Sequence, residues 1–394
     1  MSETARSNRY HIAIFGRRNA GKSSLVNAIA GQDVSIVSNV PGTTTDVVWK
    51  NIELPGIGAA VIGDTAGYDD EGTLGTMRIE RTLRVAQRID LALLVLSGEP
   101  HSATLEQEWI ELFEKADIPV IVLMGRCDEA SQTVTEKWSS ELHRDILPVS
   151  AFRKESVERL LVRMAEVYKK DDNIDDITHS LADRGDTVLL VMPQDKQSPK
   201  GRLIQPQVQT LRNLLDKHCL ALCCAPEELS QMLSLLSSPP SLIITDSQVF
   251  AQVKALTPPE TKLTSFSVLM ARHKGDIETF RAGADVLVNL PSTAHILIAE
   301  ACSHIPQNED IGRVKLPRLL RKKLGEDLTM DVVGGNDFPD DLSGYDIIIH
   351  CGACMFTRRH VMSRVRRAKG QHIPITNYGI AIAALTGILD RVVY

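Results

Sequence analysis

The segment "YHIAIFGRRNAGKSSLVNAI", Tyr10 to Ile29, constrains the fold of this chain more than any other stretch. An apolar run of strand length ends at Gly16, and Gly16 to Ser23 reads G-x-x-x-x-G-K-S. Such a loop works where a buried strand turns sharply into a helix. Successive backbone N–H groups and the positive helix end then face one phosphate group. "AAVIGDTAG", "LALLVLSG" and "IPVIVLMG" repeat the strand-then-helix pattern up to about Tyr168. Alternation of this kind predicts a parallel sheet with helices on both faces.

At 394 residues the chain exceeds one ordinary core, and two or three domains are expected. The charged stretch "KKDDNIDDITHSLADRGD" interrupts the alternation after Tyr168 and reads as a linker. Strand–helix units opening with "TVLLVMP", "CLALCCA" and "SLIITD" follow, and "TPPETK" marks a second boundary near residue 260. The expected architecture is α/β in three domains, residues 1–170, 184–262 and 263–394. In the last, "AHILIAEACSH" and "GYDIIIHCGACM" each end an apolar strand in ligand-type residues. Ligands of open α/β sheets gather beyond those carboxyl ends.

The phosphate loop assigns nucleotide contacts to Gly16, Asn19, Ala20, Gly21, Lys22, Ser23 and Ser24, with Lys22 reaching the β- and γ-phosphates and Ser23 ligating Mg²⁺. "DTAG" puts Asp64 at a strand end, where its carboxylate can hold Mg²⁺ through water, and Gly67 where its N–H can face a γ-phosphate. "PGTTTD" supplies a threonine for Mg²⁺, and Thr44 is the choice among Thr43, Thr44 and Thr45. "GRCD", Gly125 to Asp128, stands where N-K-x-D commonly reads guanine. Asp128 can accept N1–H and N2–H of guanine, and Arg126 can lie over the purine face. Glycine at 125 in place of asparagine predicts weaker GTP binding. "VSAF" places Ser150 and Ala151 in the loop whose backbone contacts the guanine oxygen.

Together, "GRRNAGKSSLVNAI", "PGTTTD" and "DTAG" resemble the translation-factor-related GTPases of the tRNA-modification, Era and Der type. That resemblance implies that Asn19 helps bind a K⁺ ion standing in for an arginine finger, so that hydrolysis is K⁺-stimulated. Tyr68 follows Gly67 where Ras-like enzymes carry a water-orienting glutamine, and slow turnover is expected. Catalysis is thereby assigned to Lys22, Asn19, Thr44, Asp64 and Gly67.

Soft metal ligands fall in two clusters, Cys302 with His304, and His350 with Cys351 and Cys354, in the pattern C-x-H-x45-H-C-x-x-C. Neighbouring parallel strands lie about 5 Å apart, so their ends could gather three thiolates around one centre. Zn²⁺ on three cysteines and a histidine is chemically adequate, and so is a [4Fe–4S] cluster on three cysteines. A dithiol redox pair leaves Cys302 and the histidines without a role. Spacing does not choose between zinc and iron.

"SPKGRLIQPQ", "TSFSVLMARHKGD", "LIAEACSH", "DIGRVKLP", "HCGACM" and "PITNYGIAIA" resemble the HydF family, the GTPases of [FeFe]-hydrogenase maturation, and the likeness runs over essentially the whole chain. It implies an N-terminal P-loop GTPase domain, a small α/β dimerisation domain and a C-terminal α/β iron–sulfur domain. It further implies a [4Fe–4S] cluster on Cys302, Cys351 and Cys354, with His304 or His350 as possible fourth ligand. The implied role is a scaffold that receives a transient diiron cluster bearing CO and cyanide from two radical-SAM maturases. It passes this cargo to the [FeFe]-hydrogenase apoprotein, and the chain acts as a homodimer.

A net charge of −6 and 4% aromatic residues argue against a general nucleic-acid coat or a polybasic anchor. The polar "MSETARSNRY" and a longest late apolar run, "GIAIAALTGIL", of 11 residues predict neither an export signal nor a membrane span. With seven cysteines, the expected compartment is the reducing cytoplasm. The rival function is an RNA-linked GTPase of tRNA modification or ribosome assembly with a structural metal site, to which the first third alone points. Cys219, Cys223 and Cys224 read as packing thiols, and the basic run Arg358 to Gly370 as a solvated face or a docking helix.

Overall fold

The computed structural model describes residues 9–31, 48–65, 85–86, 88–98, 102–126, 132–169, 176–194, 203–301, 311–335, 337–353 and 356–394. The chain forms two compact units, Met1–Asp172 and Asn173–Tyr394.

In the first unit, β1 (Tyr10–Gly16), β2 (Val48–Leu54), β3 (Gly58–Asp64), β4 (Leu91–Leu96), β5 (Val120–Met124) and β6 (Ile146–Pro148) form one sheet in the order β2-β3-β1-β4-β5-β6. Only β2 runs antiparallel to its neighbour, β3. Strands β1 and β4 are buried along their full length, which is why they read as unbroken apolar runs. Helices α1 (Lys22–Ala30), α2 (Thr104–Lys115), α3 (Gln132–Leu142) and α4 (Lys154–Lys169) accompany the sheet. Helix α2 packs Trp109 and Phe113 on Phe15, with ring centroids 5.7 and 4.8 Å away. The chain leaves β1 toward β3 on one side and β4 on the other. That reversal opens a crevice at the carboxyl end of β1.

The second unit holds two parallel sheets. Strands β7 (Thr187–Val191), β8 (Leu220–Cys224), β9 (Leu242–Thr245) and β10 (Lys262–Ser265) lie in the order β10-β9-β7-β8. Strands β11 (His295–Ala299), β12 (Thr329–Val333), β13 (Ile347–His350) and β14 (Ile375–Asn377) lie in the order β12-β11-β13-β14. The helices are α5 (Gln205–Asp216), α6 (Leu229–Leu235), α7 (Phe250–Leu256), α8 (Phe266–Lys274), α9 (Ile277–Leu287), α10 (Leu316–Leu324), α11 (Arg358–Gly370) and α12 (Tyr378–Leu385). One apolar cluster runs through both sheets, including Leu189, Ile243, Leu263, Leu297, Ile348 and Val365.

The class is α/β, as expected. A division between 262 and 263 would cut through β10, whose Leu263 pairs with Ile243 of β9. The prolines of "TPPETK" turn the chain into an edge strand there rather than into a linker. Among the described residues no helix is long and apolar enough to cross a membrane.

Candidate functional site

The phosphate loop leaves β1 at Gly16, which pairs with Val95 of β4. A Cβ on Gly16 would lie 2.5 Å from the Val95 carbonyl oxygen, so only glycine lets the loop depart at this point. Asn19 takes φ 62°, a conformation asparagine tolerates better than most residues, and Gly21 takes φ 92° at the start of α1. Ala20 is buried, whereas Asn19 and Ser24 are exposed. Lys22 is buried, and its ammonium donates to the carbonyls of Gly16 at 2.9 Å and Arg17 at 2.8 Å. Ser23 Oγ donates to Asp64 Oδ2 at 2.5 Å, tying the first turn of α1 to the end of β3. Asp64 Oδ1 is buried with no hydrogen-bond partner among the described residues. The Ser23 hydroxyl and the Asp64 carboxylate, one oxygen of which is orphaned, make a hard donor pair that fits Mg²⁺.

Sequence reasoning missed the brace outside this loop. Arg17 donates to both oxygens of Glu106, at 2.7 and 3.0 Å, in a bidentate pair. Glu106 lies on the buried face of α2 with Trp109, Ile110 and Phe113. A carboxylate at that register was the available signal.

On the base side, a Cβ on Gly125 would lie 2.7 Å from the Ala20 carbonyl oxygen and 2.8 Å from Val95 Cγ1. The end of β5 presses against the phosphate loop, so glycine at 125 is a steric requirement of this packing. Arg126 takes φ 52°, and its Cγ lies 3.9 Å from a Cβ built on Gly21. The loop after β6 is drawn to β5 by the Val149 N–H, which donates to the Met124 carbonyl at 2.9 Å. Next in that loop, buried Ser150 donates its N–H to Ser156 Oγ at 2.7 Å, and Ala151 follows. Thr44, Gly67 and Asp128 lie outside the described residues.

In the second unit β11 and β13 are neighbours, with Ala299 opposite His350. Beyond that pair the Cys351 N–H donates to the Ala299 carbonyl at 2.9 Å. The Cys351 sulfur accepts two backbone N–H groups, from Ala301 at 3.0 Å and Ala353 at 3.4 Å. Donors aimed at sulfur favour the thiolate and tune a bound metal centre, and the position at the strand ends fits an iron–sulfur cluster. Cys302, His304 and Cys354 lie outside the described residues. Among the described residues no three His, Cys, Asp or Glu side chains group as a metal site.

His350 is fully buried. Its Nδ1 lies 2.7 Å from the Cys351 carbonyl, and its Nε2 lies 3.1 Å from Arg364 Nη1. A carbonyl only accepts and a guanidinium only donates, so Nδ1 carries the proton and Nε2 accepts. Burial, and then the Arg364 charge, push its pKa down to about 3. The ring is neutral and both nitrogens are engaged.

Two buried cations also surround the cysteine turn. Lys274, at the end of α8, donates to the carbonyls of Ala353 at 3.1 Å and Phe356 at 2.9 Å. Arg364 lies on the buried stripe of α11 with Val361, Val365 and Ala368. The basic run of α11 is largely committed within the fold. Arg358 donates to the carbonyls of His273 and Gly275, Arg367 pairs with Asp340 at 2.7 Å, and Lys369 pairs with Asp276 at 2.7 Å. Of the middle thiols, Cys219 is buried and its Sγ lies 3.2 Å from the Asp183 carbonyl. Burial, with Glu228 and Cys223 nearby, pushes the Cys224 thiol up to about 11. Cys223 is exposed on the edge strand β8 rather than packed in the core.

Residues 11–126 match the model of the 50S ribosome-binding GTPase family, so the chain carries a GTPase domain. The tRNA modification GTPase MnmE of Heliobacterium modesticaldum is 35% identical over 161 residues, 39% of this chain and 34% of that protein. GTPase Der of Wolinella succinogenes is 31% identical over 168 residues, 40% of this chain and 36% of that protein. The chain thus spans about a third of the length of these curated relatives. Era of Aquifex aeolicus, solved with GDP and aluminium fluoride, is 17% identical with a TM-score of 0.32, over 55% of this chain and 92% of that one. Residues 177–275 match the hydrogen maturase F dimerization domain, and residues 278–394 match the hydrogen maturase F tetramerization domain. With a GTPase domain followed by both of these domains in order, the chain belongs to the hydrogen maturase F family.

Proposed function

We propose that this chain is a slow, K⁺-stimulated GTPase and an iron–sulfur scaffold that carries a diiron precursor to the [FeFe]-hydrogenase apoprotein. The observation that carries the reading is the convergence on the Cys351 sulfur of N–H groups from Ala301 and Ala353. These residues immediately precede Cys302 and Cys354 in the chain. A resident [4Fe–4S] cluster on Cys302, Cys351 and Cys354 would supply an iron corner open to exchange. His304 is the natural candidate for a weak fourth ligand. His350, with both nitrogens engaged, acts as a positioning group behind Cys351. Cargo held at an exchangeable position can be passed on, which a fourth thiolate would prevent.

In the first unit Lys22 neutralises the β- and γ-phosphates. Ser23, Thr44 and Asp64 hold Mg²⁺, Asn19 helps seat K⁺, and the Gly67 N–H senses the γ-phosphate. Arg126 and Asp128 read guanine. The γ-phosphate orders these loops and so favours one partner, maturase or hydrogenase, over another. Exposed Leu220 on edge strand β8, with exposed Leu215 and Leu235 on α5 and α6, supports assembly of the cytoplasmic protein as a homodimer.

The test is activation of a hydrogenase lacking its diiron centre, using this protein loaded with a synthetic diiron mimic. Hydrogen evolution above that given by free mimic supports the carrier reading. Equal activation with and without the protein defeats it.

A further inference from the structure

Arg364 carries a buried charge whose hydrogen-bonding partners among the described residues are all neutral. It is 4% exposed, and its guanidinium meets the Glu300 carbonyl at 3.3 Å, the Gly335 carbonyl, His350 Nε2 at 3.1 Å and the Phe338 ring at 4.9 Å. Among the described residues none of these partners is a carboxylate. The nearby Glu300 side chain is itself taken by Arg313 at 3.0 Å. A buried guanidinium without an opposite charge is costly, and burial pulls its pKa down to about 10.

The position of Arg364 indicates where the missing negative charge would lie. Glu300 and His350 end the segments that lead to Cys302 and Cys351, and the guanidinium touches both. Lys274 adds a second buried cation at the same turn, donating to the Ala353 and Phe356 carbonyls.

Building on the cluster proposed above, we infer that Arg364 is the counter-cation of an anionic thiolate-bound cluster and holds its reduction potential up. Three thiolates leave such a cluster with net negative charge, and one added electron makes that charge larger. A fixed cation therefore stabilises the reduced state more than the oxidised one. Arg364 is a positioning and tuning residue and not a ligand.

The experiment uses the full chain, reconstituted anaerobically with iron and sulfide and titrated with dithionite under electron paramagnetic resonance. Arg364→Gln keeps hydrogen-bond donors and removes the charge, and Arg364→Lys keeps the charge. The inference expects the glutamine variant to retain its iron and sulfide while its midpoint moves to more negative potential. The lysine variant should stay near the parent protein. Arg364→Met, read the same way, carries the test if the glutamine variant does not fold. An unchanged midpoint in a fully loaded neutral variant overturns the role of Arg364. Failure of the parent chain to take up any iron–sulfur cluster defeats the cluster reading itself.

Discussion

The backbone N–H of Ala301 donates to the sulfur of Cys351 at 3.0 Å, across 50 positions of sequence. Strand pairing makes this contact possible, because Ala299 of β11 lies opposite His350 of β13 and both strands end at the same level. The Ala301 backbone and the Cys351 sulfur are thereby brought together at adjacent strand ends of one sheet.

Lys22→Ala is expected to reduce GTP turnover by about 100-fold or more, because it removes the charge proposed to meet the phosphates. Iron content after reconstitution should be unchanged, since the cysteines belong to the other unit. Phosphate release and iron analysis on one preparation check both halves. Near-normal turnover would contradict the assignment.

Gly125→Asn restores the residue common in guanine motifs, yet the structure leaves no space for it. A Cβ 2.7 Å from the Ala20 carbonyl forces the phosphate loop to move, at about 1–3 kcal/mol. The expected outcome is a lower Tm and weaker GTP binding by calorimetry. Tighter binding at unchanged Tm would show that position 125 is a lost contact instead.

Asn19→Ala is expected to flatten the response of hydrolysis to K⁺ while leaving its Mg²⁺ dependence. Rates measured in potassium and sodium chloride at equal ionic strength decide this. An unchanged potassium response would remove the ion from the mechanism.

His273 gives the second unit a pH dependence. Its Nδ1 is buried with no hydrogen-bond partner among the described residues, and burial, then the Lys274 charge, push its pKa down to about 4. In the unfolded chain the ring titrates near about 6.5. Between those values the unfolded state binds a proton that the folded state refuses. Stability is therefore full above about pH 6.5 and falls as pH drops toward about 4. His273→Leu should lessen that fall in urea midpoints taken across the window. Some slope will remain, because His350 is depressed in the same direction. Identical slopes in parent and variant would contradict this account.

The sequence made the phosphate loop, Asp64 and the strand ends legible because each depends on local order, a strand entering a tight turn and then a helix. Arg364 and Lys274 were not legible. They sit in basic stretches whose burial is decided by which faces α8 and α11 turn to the sheet. Gly125 read as a missing contact because the approach of β5 to Ala20 is tertiary. Glu106 could have been found, since it shares the register of Trp109 and Phe113.

Anaerobic reconstitution followed by iron, sulfide and zinc analysis tests the central claim most directly, on the parent chain and on Cys351→Ala. The account expects about four irons and four sulfides per chain, with no zinc, and loss of both iron and sulfide in the variant. Stoichiometric zinc in the parent, or an iron–sulfur cluster that survives Cys351→Ala unchanged, would contradict it.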